Sequence, residues 1–272
     1  MFSRTFSLIA ALALSSPLLA AQTKEPTVSK PTIVLVHGAF AESSSWNPVV
    51  TELQAKGYST IAVANPLRGV KSDASYVASV VNNVPGPVVL VGHSYGGLVI
   101  SNAANGFPNI KALVYVGAFA PDKGESAFGL SSQFPGSTLG GALAPPVALA
   151  DGGKDFYIQQ EKLPAQFAAD LPLAEARQMA ATQRPVTEAA LNEASGEPAW
   201  KSIPSWFIYG AEDRNIPAAA LGFMANRAGS KKTIAVAGAS HVVMLSHAKE
   251  VARLIDEAAT ATATAKVAAA SR

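Results

Sequence analysis

The stretch Val88-Val89-Leu90-Val91-Gly92-His93-Ser94-Tyr95-Gly96-Gly97-Leu98-Val99-Ile100 sets an apolar run, a G-x-S-x-G turn and the start of a helix end to end. Four consecutive apolar residues closed by glycine suit a strand buried on both faces of a parallel sheet. A serine hydroxyl is a weak nucleophile and needs a base beside it and an anion site in front. In this motif the serine sits on a strained strand-to-helix turn, and the flanking glycines remove side chains that would collide there. The motif carries weight only between a strand and a helix, and both flanks supply that context. Ser94 is therefore the candidate nucleophile, set against the plainer reading of a surface serine in a tight turn.

Outward from this stretch the same alternation repeats. Strands are predicted over Thr32–Val36, Ser59–Ala64, Pro87–Val91 and Ile110–Gly117, and helices over Trp46–Lys56, Ser72–Asn82 and Tyr95–Asn105. Strand and helix in regular alternation predict an α/β fold with a mostly parallel central sheet flanked by helices. From Pro121 to Trp200 prolines and glycines multiply and no strong strand pattern appears. Short helical pieces over Lys154–Glu161, Pro172–Thr182 and Thr187–Ser195 predict an inserted helical cap. The sheet resumes with Ser205–Tyr209 and Lys232–Val236, and Ala248–Ala259 reads as a closing amphipathic helix. The expected layout is a signal peptide 1–21, a linker 22–31, a core 32–120 and 201–259, a helical cap 121–200 and a disordered tail 260–272.

Loops at the carboxyl ends of parallel strands form the ligand crevice. His37-Gly38-Ala39-Phe40 ends the first strand, and the amides of Ala39 and Tyr95 are the expected donors to a developing oxyanion. His37 reads as a structural hydrogen-bonding residue of that loop. The chain has four histidines. His93 adjoins the serine and projects elsewhere, and His247 falls in or near the last helix. His241, in the loop after the last strand, is left as the base. The acid is expected between serine and histidine in chain order. Asp213 follows the strand Ser205–Tyr209, with Glu212 and Asp122 as competitors and an Asx-turn as its plainer role. Phe40 and Phe119 are expected to line the substrate pocket. Phe128, Phe134, Phe156, Phe167 and Trp200 are candidate cap contributions to it.

The order Ser94, Asp213, His241 is that of the α/β-hydrolases. The stretches Val34–Ala39, Val91–Gly97, Gly117–Asp122, Glu212–Pro217 and Gly238–His241 make the chain resemble the esterase and hydroxynitrile-lyase branch of that superfamily, which includes plant methylesterases. These stretches frame residues 31–258, whereas the cap between them shows no evident match. The resemblance implies an α/β-hydrolase fold, a Ser-His-Asp triad with Asp213 rather than Glu212 as its acid, and an acyl-enzyme route to ester hydrolysis. Two departures weigh against cyanohydrin cleavage. Lyase members carry lysine where this chain has Val242, and some carry threonine where it has Gly38. Lactonase, perhydrolase or lyase-like chemistry on the same site, or a slow-turnover ligand-binding sensor, are the alternatives.

Composition narrows the field. With 49% hydrophobic and 15% charged residues the chain is globular rather than disordered. A net charge of +2 without like-charge blocks suggests neither a nucleic-acid groove nor a polybasic membrane patch. The absence of cysteine excludes disulfides, thiolate metal sites and cysteine nucleophiles. No metal-ligand spacing or cofactor fingerprint is visible, and the expected partner is a small-molecule ester. Arg4, the apolar run Phe6–Leu14 and the small residues ending at Ala21 form the three-part pattern of an export signal. That run is too short to span a bilayer, so a secreted or periplasmic protein without stable membrane insertion is expected.

Overall fold

The computed structural model describes residues 30–270, with side chains through residue 262; the expected signal peptide and most of the expected linker lie outside the described residues. In chain order, β1 (Thr32–Val36), α1 (Asn47–Ala55), β2 (Thr60–Val63), α2 (Val70–Asn82), β3 (Val88–His93), α3 (Gly96–Ala103) and β4 (Ile110–Val116) form the first half of the core. The insertion comprises α4 (Ala127–Gln133), α5 (Leu139–Ala142), β5 (Val147–Ala148), β6 (Lys154–Phe156), α6 (Leu163–Phe167), α7 (Leu173–Thr182), β7 (Val186–Thr187) and α8 (Glu188–Asn192). The core then resumes with β8 (Ser205–Gly210), α9 (Ala218–Arg227), β9 (Thr233–Val236), α10 (Val243–Ser246) and α11 (Ala248–Ala270).

Six strands pair in the order β2-β1-β3-β4-β8-β9, all parallel. Every residue of β3 is buried, because helices cover both faces of the sheet interior. The edge strands β2 and β9 instead mix buried with partly or fully exposed positions. The chain runs outward from β1 to β2, then returns past β1 to β3 and continues the other way. Right-handed crossovers in opposite directions put α1 and α2 on opposite faces. Accordingly α2 packs with α3, and α1 packs with α11. The reversal leaves a crevice between the carboxyl ends of β1 and β3, where an open α/β sheet binds its ligand. The loops leaving those two strands carry His37–Phe40 and Ser94.

The insertion differs from the helical cap expected from sequence. Alongside its short helices it holds a three-stranded antiparallel sheet, β5-β6-β7. Lys154–Phe156, expected to begin a helix, is the central strand of that sheet. Strands of two or three residues are too short to display an alternating pattern, so cross-strand pairing decides their state. Helix α9 was not anticipated from the sequence. Helix α11 continues to Ala270, through residues 260–270 where a disordered tail is expected; alanine, the best helix former, dominates that stretch. Residues 271–272 lie outside the described residues.

Polar links tie the insertion to the core. Arg184 makes a two-pronged contact with Glu42 at 2.9 and 3.0 Å, and Arg68 reaches Asp155 at 2.7 Å. Asp170 accepts from the Ser240 hydroxyl, next to His241. Burial pushes the Asp170 carboxyl up, but hydrogen bonding, led by the Ser240 hydroxyl, outweighs it and holds the group below the ordinary carboxylate range. A depressed folded-state pKa means that this contribution is fully present above the unfolded value, about 4, and is lost as pH falls through the folded value. The melting temperature of Asp170→Asn should therefore lie below that of the parent at neutral pH, with the gap narrowing below about pH 4. Parallel melting curves that keep a constant gap down to pH 2 would rule out the Asp170 carboxylate as an acid-sensitive latch.

Candidate active site

Ser94 occupies the sharp bend between β3 and α3 with φ of 52°, a left-handed conformation that costs a non-glycine residue about 1 kcal/mol or more. Its carbonyl accepts from the amides of Gly97 and Phe119 at 3.0 and 3.2 Å, which helps hold the bend. Glycine is required around it by close approach. A Cβ at Gly92 would lie 2.6 Å from the Gly96 carbonyl oxygen, and one at Gly96 would run into the Val36 carbonyl. A Cβ at Gly38 would lie 2.6 Å from the Ser94 Cβ, so the end of β1 passes directly against the serine.

Beneath the bend, the Tyr95 hydroxyl donates to Asp73 at 2.9 Å. Asp73 is fully buried and also accepts from the Arg68 and Gly69 amides. Burial raises its carboxyl, with these donors opposing. The bend is thereby tied to the loop that anchors Asp155 of the insertion.

The structure pairs His241 with Asp213. Nδ1 of His241 lies 2.6 Å from Oδ2 of Asp213, and both side chains are almost fully buried. Oδ1 of Asp213 accepts from the Asn215 and Ile216 amides at 2.8 and 2.9 Å. Two backbone donors thus fix one carboxylate oxygen and leave the other for the imidazole. The competing carboxylates are elsewhere: Glu212 is exposed, and Asp122 pairs with Lys201 at 2.6 Å. Among the described residues, neither Nε2 of His241 nor the Ser94 hydroxyl hydrogen-bonds to protein, and both residues line one cavity. Such contacts are often long in unliganded sites and tighten with substrate.

Two of the remaining histidines, His93 and His37, brace this arrangement. His93 projects beneath the site, its Nε2 3.2 Å from the His241 carbonyl and its ring centroid 4.8 Å from that of His241. Complete burial holds its pKa well down, so it is neutral and donates that contact. His37 accepts the Asn65 amide at Nε2 (3.0 Å), so its proton is on Nδ1, which donates to the Gly38 carbonyl at 2.9 Å. Burial likewise lowers its pKa. Holding the Gly38 carbonyl turns the next amide, Ala39 N–H, the opposite way across the same peptide plane. Neither the Ala39 nor the Tyr95 amide donates within the protein among the described residues, and both residues border the cavity. His247 is half-buried beside Ser246.

The cavity has a volume of about 270 Å³. Phe40 and Phe119 line it as the sequence suggests, and of the candidate cap aromatics Phe128 and Phe167 do so. Phe167 packs edge-on against both Phe40 and His241, limiting rotation of the imidazole. Phe134 turns instead to Phe223, Trp200 donates to the Pro121 carbonyl, and Phe156 lies in β6; none of the three lines the cavity. Leu139, Leu143, Leu191, Asn215 and Ile216 complete much of the wall and were missed by the sequence reading. Only the pattern at Ile216, three residues past the candidate acid Asp213, hinted at any of them. Among the described residues, no Asp, Glu, Lys or Arg lines the cavity. Among the described residues, no cluster of three or more His, Asp or Glu could hold a metal, and no helix is long and apolar enough to cross a membrane.

A serine held in left-handed backbone at a strand–helix bend, at the switch point of a parallel sheet, defines the class of α/β-hydrolase folds. The family model described as "Alpha/beta hydrolase family" matches residues 33–254, and the chain belongs to that family. It is similar to an alpha-hydroxynitrile lyase of Arabidopsis thaliana, 24% identical over 78% of this chain and 91% of the relative. It is also similar to a carbendazim-hydrolysing esterase of Nocardioides, 30% identical over 40% of this chain; the match spans only 54% of that relative's length. Among solved structures, polyneuridine aldehyde esterase superposes with a TM-score of 0.73 at 19% identity, over 84% of this chain and 99% of that one.

Proposed function

We propose that the protein is a serine esterase acting on small, neutral, largely apolar carboxylic esters. The buried His241–Asp213 pair, whose imidazole lines one largely apolar cavity with Ser94, carries this reading. Ser94 attacks the ester carbonyl while Nε2 of His241 takes its proton, and Asp213 stabilises the imidazolium that forms. The oxyanion of the tetrahedral intermediate is held by the Ala39 and Tyr95 amides. Collapse expels the alcohol, protonated by His241, and leaves an acyl-Ser94. Water, deprotonated by His241, then releases the acid and restores the serine.

The chain's similarity to esterases of several kinds supports ester hydrolysis. Among the described residues, the cavity wall carries no lysine or arginine to hold a leaving cyanide, and buried Val242 follows His241, which favours ester over cyanohydrin cleavage. The test is a p-nitrophenyl ester series from acetate to decanoate. Turnover should peak at short to medium acyl chains, as a cavity of about 270 Å³ limits length. A series hydrolysed no faster than the buffer blank would remove the esterase reading in favour of a lactone, a lyase substrate or a slow-turnover sensor.

A further inference from the structure

Among the described residues, three other than glycine take a left-handed backbone: Phe40, Leu67 and Ser94, with φ of 60°, 61° and 52°. Such a conformation persists only where the surrounding contacts hold it. The three residues lie in separate loops, after β1, β2 and β3. The first loop carries Ala39 and the third carries Tyr95, whose amides are the oxyanion donors of the proposed mechanism.

One short segment of the insertion, residues 184–187, grips the first two loops directly. The Arg184 carbonyl accepts from the Phe40 amide at 3.0 Å, and the Arg184 guanidinium holds Glu42 at two points. His37 holds the Gly38 carbonyl on the other side, so Ala39 stands between two fixed peptides. On the second loop the Thr187 amide donates to the Leu67 carbonyl at 3.1 Å, and the Thr187 hydroxyl donates to the Arg68 carbonyl at 2.9 Å. The Arg68 guanidinium returns to the Pro185 carbonyl at 2.9 Å and to Asp155. This loop turns the Arg68 and Gly69 amides onto Asp73, which in turn holds the Tyr95 hydroxyl. Attachment of an insertion needs no particular landing place. These contacts fall on left-handed residues or their immediate neighbours, which attachment alone does not account for.

We propose that residues 184–187 preorganise the oxyanion hole. Arg184 is a positioning residue that acts through Glu42 and Phe40 on the Ala39 amide. Arg68 is a second, acting through Asp73 on the Tyr95 residue whose amide is the other donor. The inference rests on the esterase reading of the same site. Donors fixed before the substrate arrives need no reorganisation as charge develops, and a small displacement of either weakens the stabilisation. The insertion thus contributes to the chemical step as well as enclosing the substrate.

The test compares p-nitrophenyl butanoate with its thionoester, in which sulfur replaces the carbonyl oxygen. Sulfur is a weak hydrogen-bond acceptor, so the oxoester gains far more from a well-placed oxyanion hole. Values of kcat/KM are measured for wild type, Arg184→Met, Arg68→Met, the double variant and the isosteric Glu42→Gln. Partial unfolding lowers both esters alike and cancels in their ratio. The oxoester-to-thionoester ratio should fall by about tenfold in the double variant, and in the same direction in each single variant. A ratio within about twofold of wild type in the double variant overturns the proposal, leaves these contacts as simple anchors of the insertion and leaves the esterase reading standing. If wild type hydrolyses neither ester, the esterase reading is what fails. The hole is then read by ¹⁹F NMR titration with 1,1,1-trifluoro-2-hexanone, with 2-hexanol as the reference for cavity binding. Ser94 Oγ adds to the ketone carbon and passes its proton to His241, which leaves an oxyanion for the two amides. Ketone affinity relative to 2-hexanol should fall by about tenfold in the double variant, and no adduct in wild type, or an unchanged ratio, overturns the proposal.

Discussion

Ser94→Ala should lower kcat for p-nitrophenyl ester hydrolysis by about 10⁵-fold or more, down to the level that binding and oxyanion stabilisation alone support. The fold should survive. The Ser94 hydroxyl makes no hydrogen bond within the protein among the described residues, so alanine leaves no partner stranded. Alanine meets the same left-handed backbone as serine, and its smaller side chain fits beside Gly38. The melting temperature should therefore stay within a few degrees of the parent. The two readouts must be taken together, because a variant that is inactive and unfolded says nothing about the nucleophile. A folded Ser94→Ala protein with a tenth of wild-type turnover would end the proposed mechanism.

Asp213→Asn should cost about 10⁴-fold in turnover, the scale seen when a serine protease loses the equivalent carboxylate. The structure supplies a specific reason. The amides of Asn215 and Ile216 can only donate, so an asparagine here must turn its carbonyl oxygen toward them. Its NH2 then faces Nδ1 of His241, where Oδ2 now lies at 2.6 Å. Nδ1 becomes an acceptor and the ring proton moves to Nε2. That tautomer cannot take the proton from Ser94, although ring, serine and cavity remain in place. Steady-state kinetics on the folded variant should show the loss mainly in kcat, with KM little changed. A loss below tenfold would show that Asp213 does not orient the imidazole. A comparable loss in Asp122→Asn is not expected, since that carboxylate is engaged with Lys201.

Much of this was legible in the sequence because the decisive features are local. Val88–Val91 reads as a buried strand from its unbroken apolar run, and Gly92 and Gly96 announce a close approach that only a missing side chain permits. The six core strands follow from the same kind of run, with ends within about two residues of the observed ones. The insertion was harder to read. β5, β6 and β7 hold two or three residues each and exist because they pair with one another, so Lys154–Phe156 carries no periodic signature of its own. Residues 260–270 went the other way: their low complexity suggested disorder, whereas their alanine content sustains a helix.

The cavity wall shows the same division. Phe40 and Phe119 adjoin motif residues and could be named from position alone. Phe167 and Phe134 are equally aromatic cap residues, yet one packs on His241 and the other on Phe223. Asn215 could be seen only as one residue of a turn, since its hydrogen bond to Gln166 joins residues 49 positions apart in the chain.

By itself the sequence determined the sheet, the strained turn at Ser94 and the chain order of serine, acid and histidine, because apolar runs and glycine at tight approaches are properties of neighbouring residues. Tertiary structure alone decided that Asp213 meets His241, that His37 turns the Ala39 amide and that the Asn215 carboxamide meets Gln166. Those outcomes depend on which distant groups compete for each hydrogen bond, and that competition is settled only when the loops of separate strands pack together.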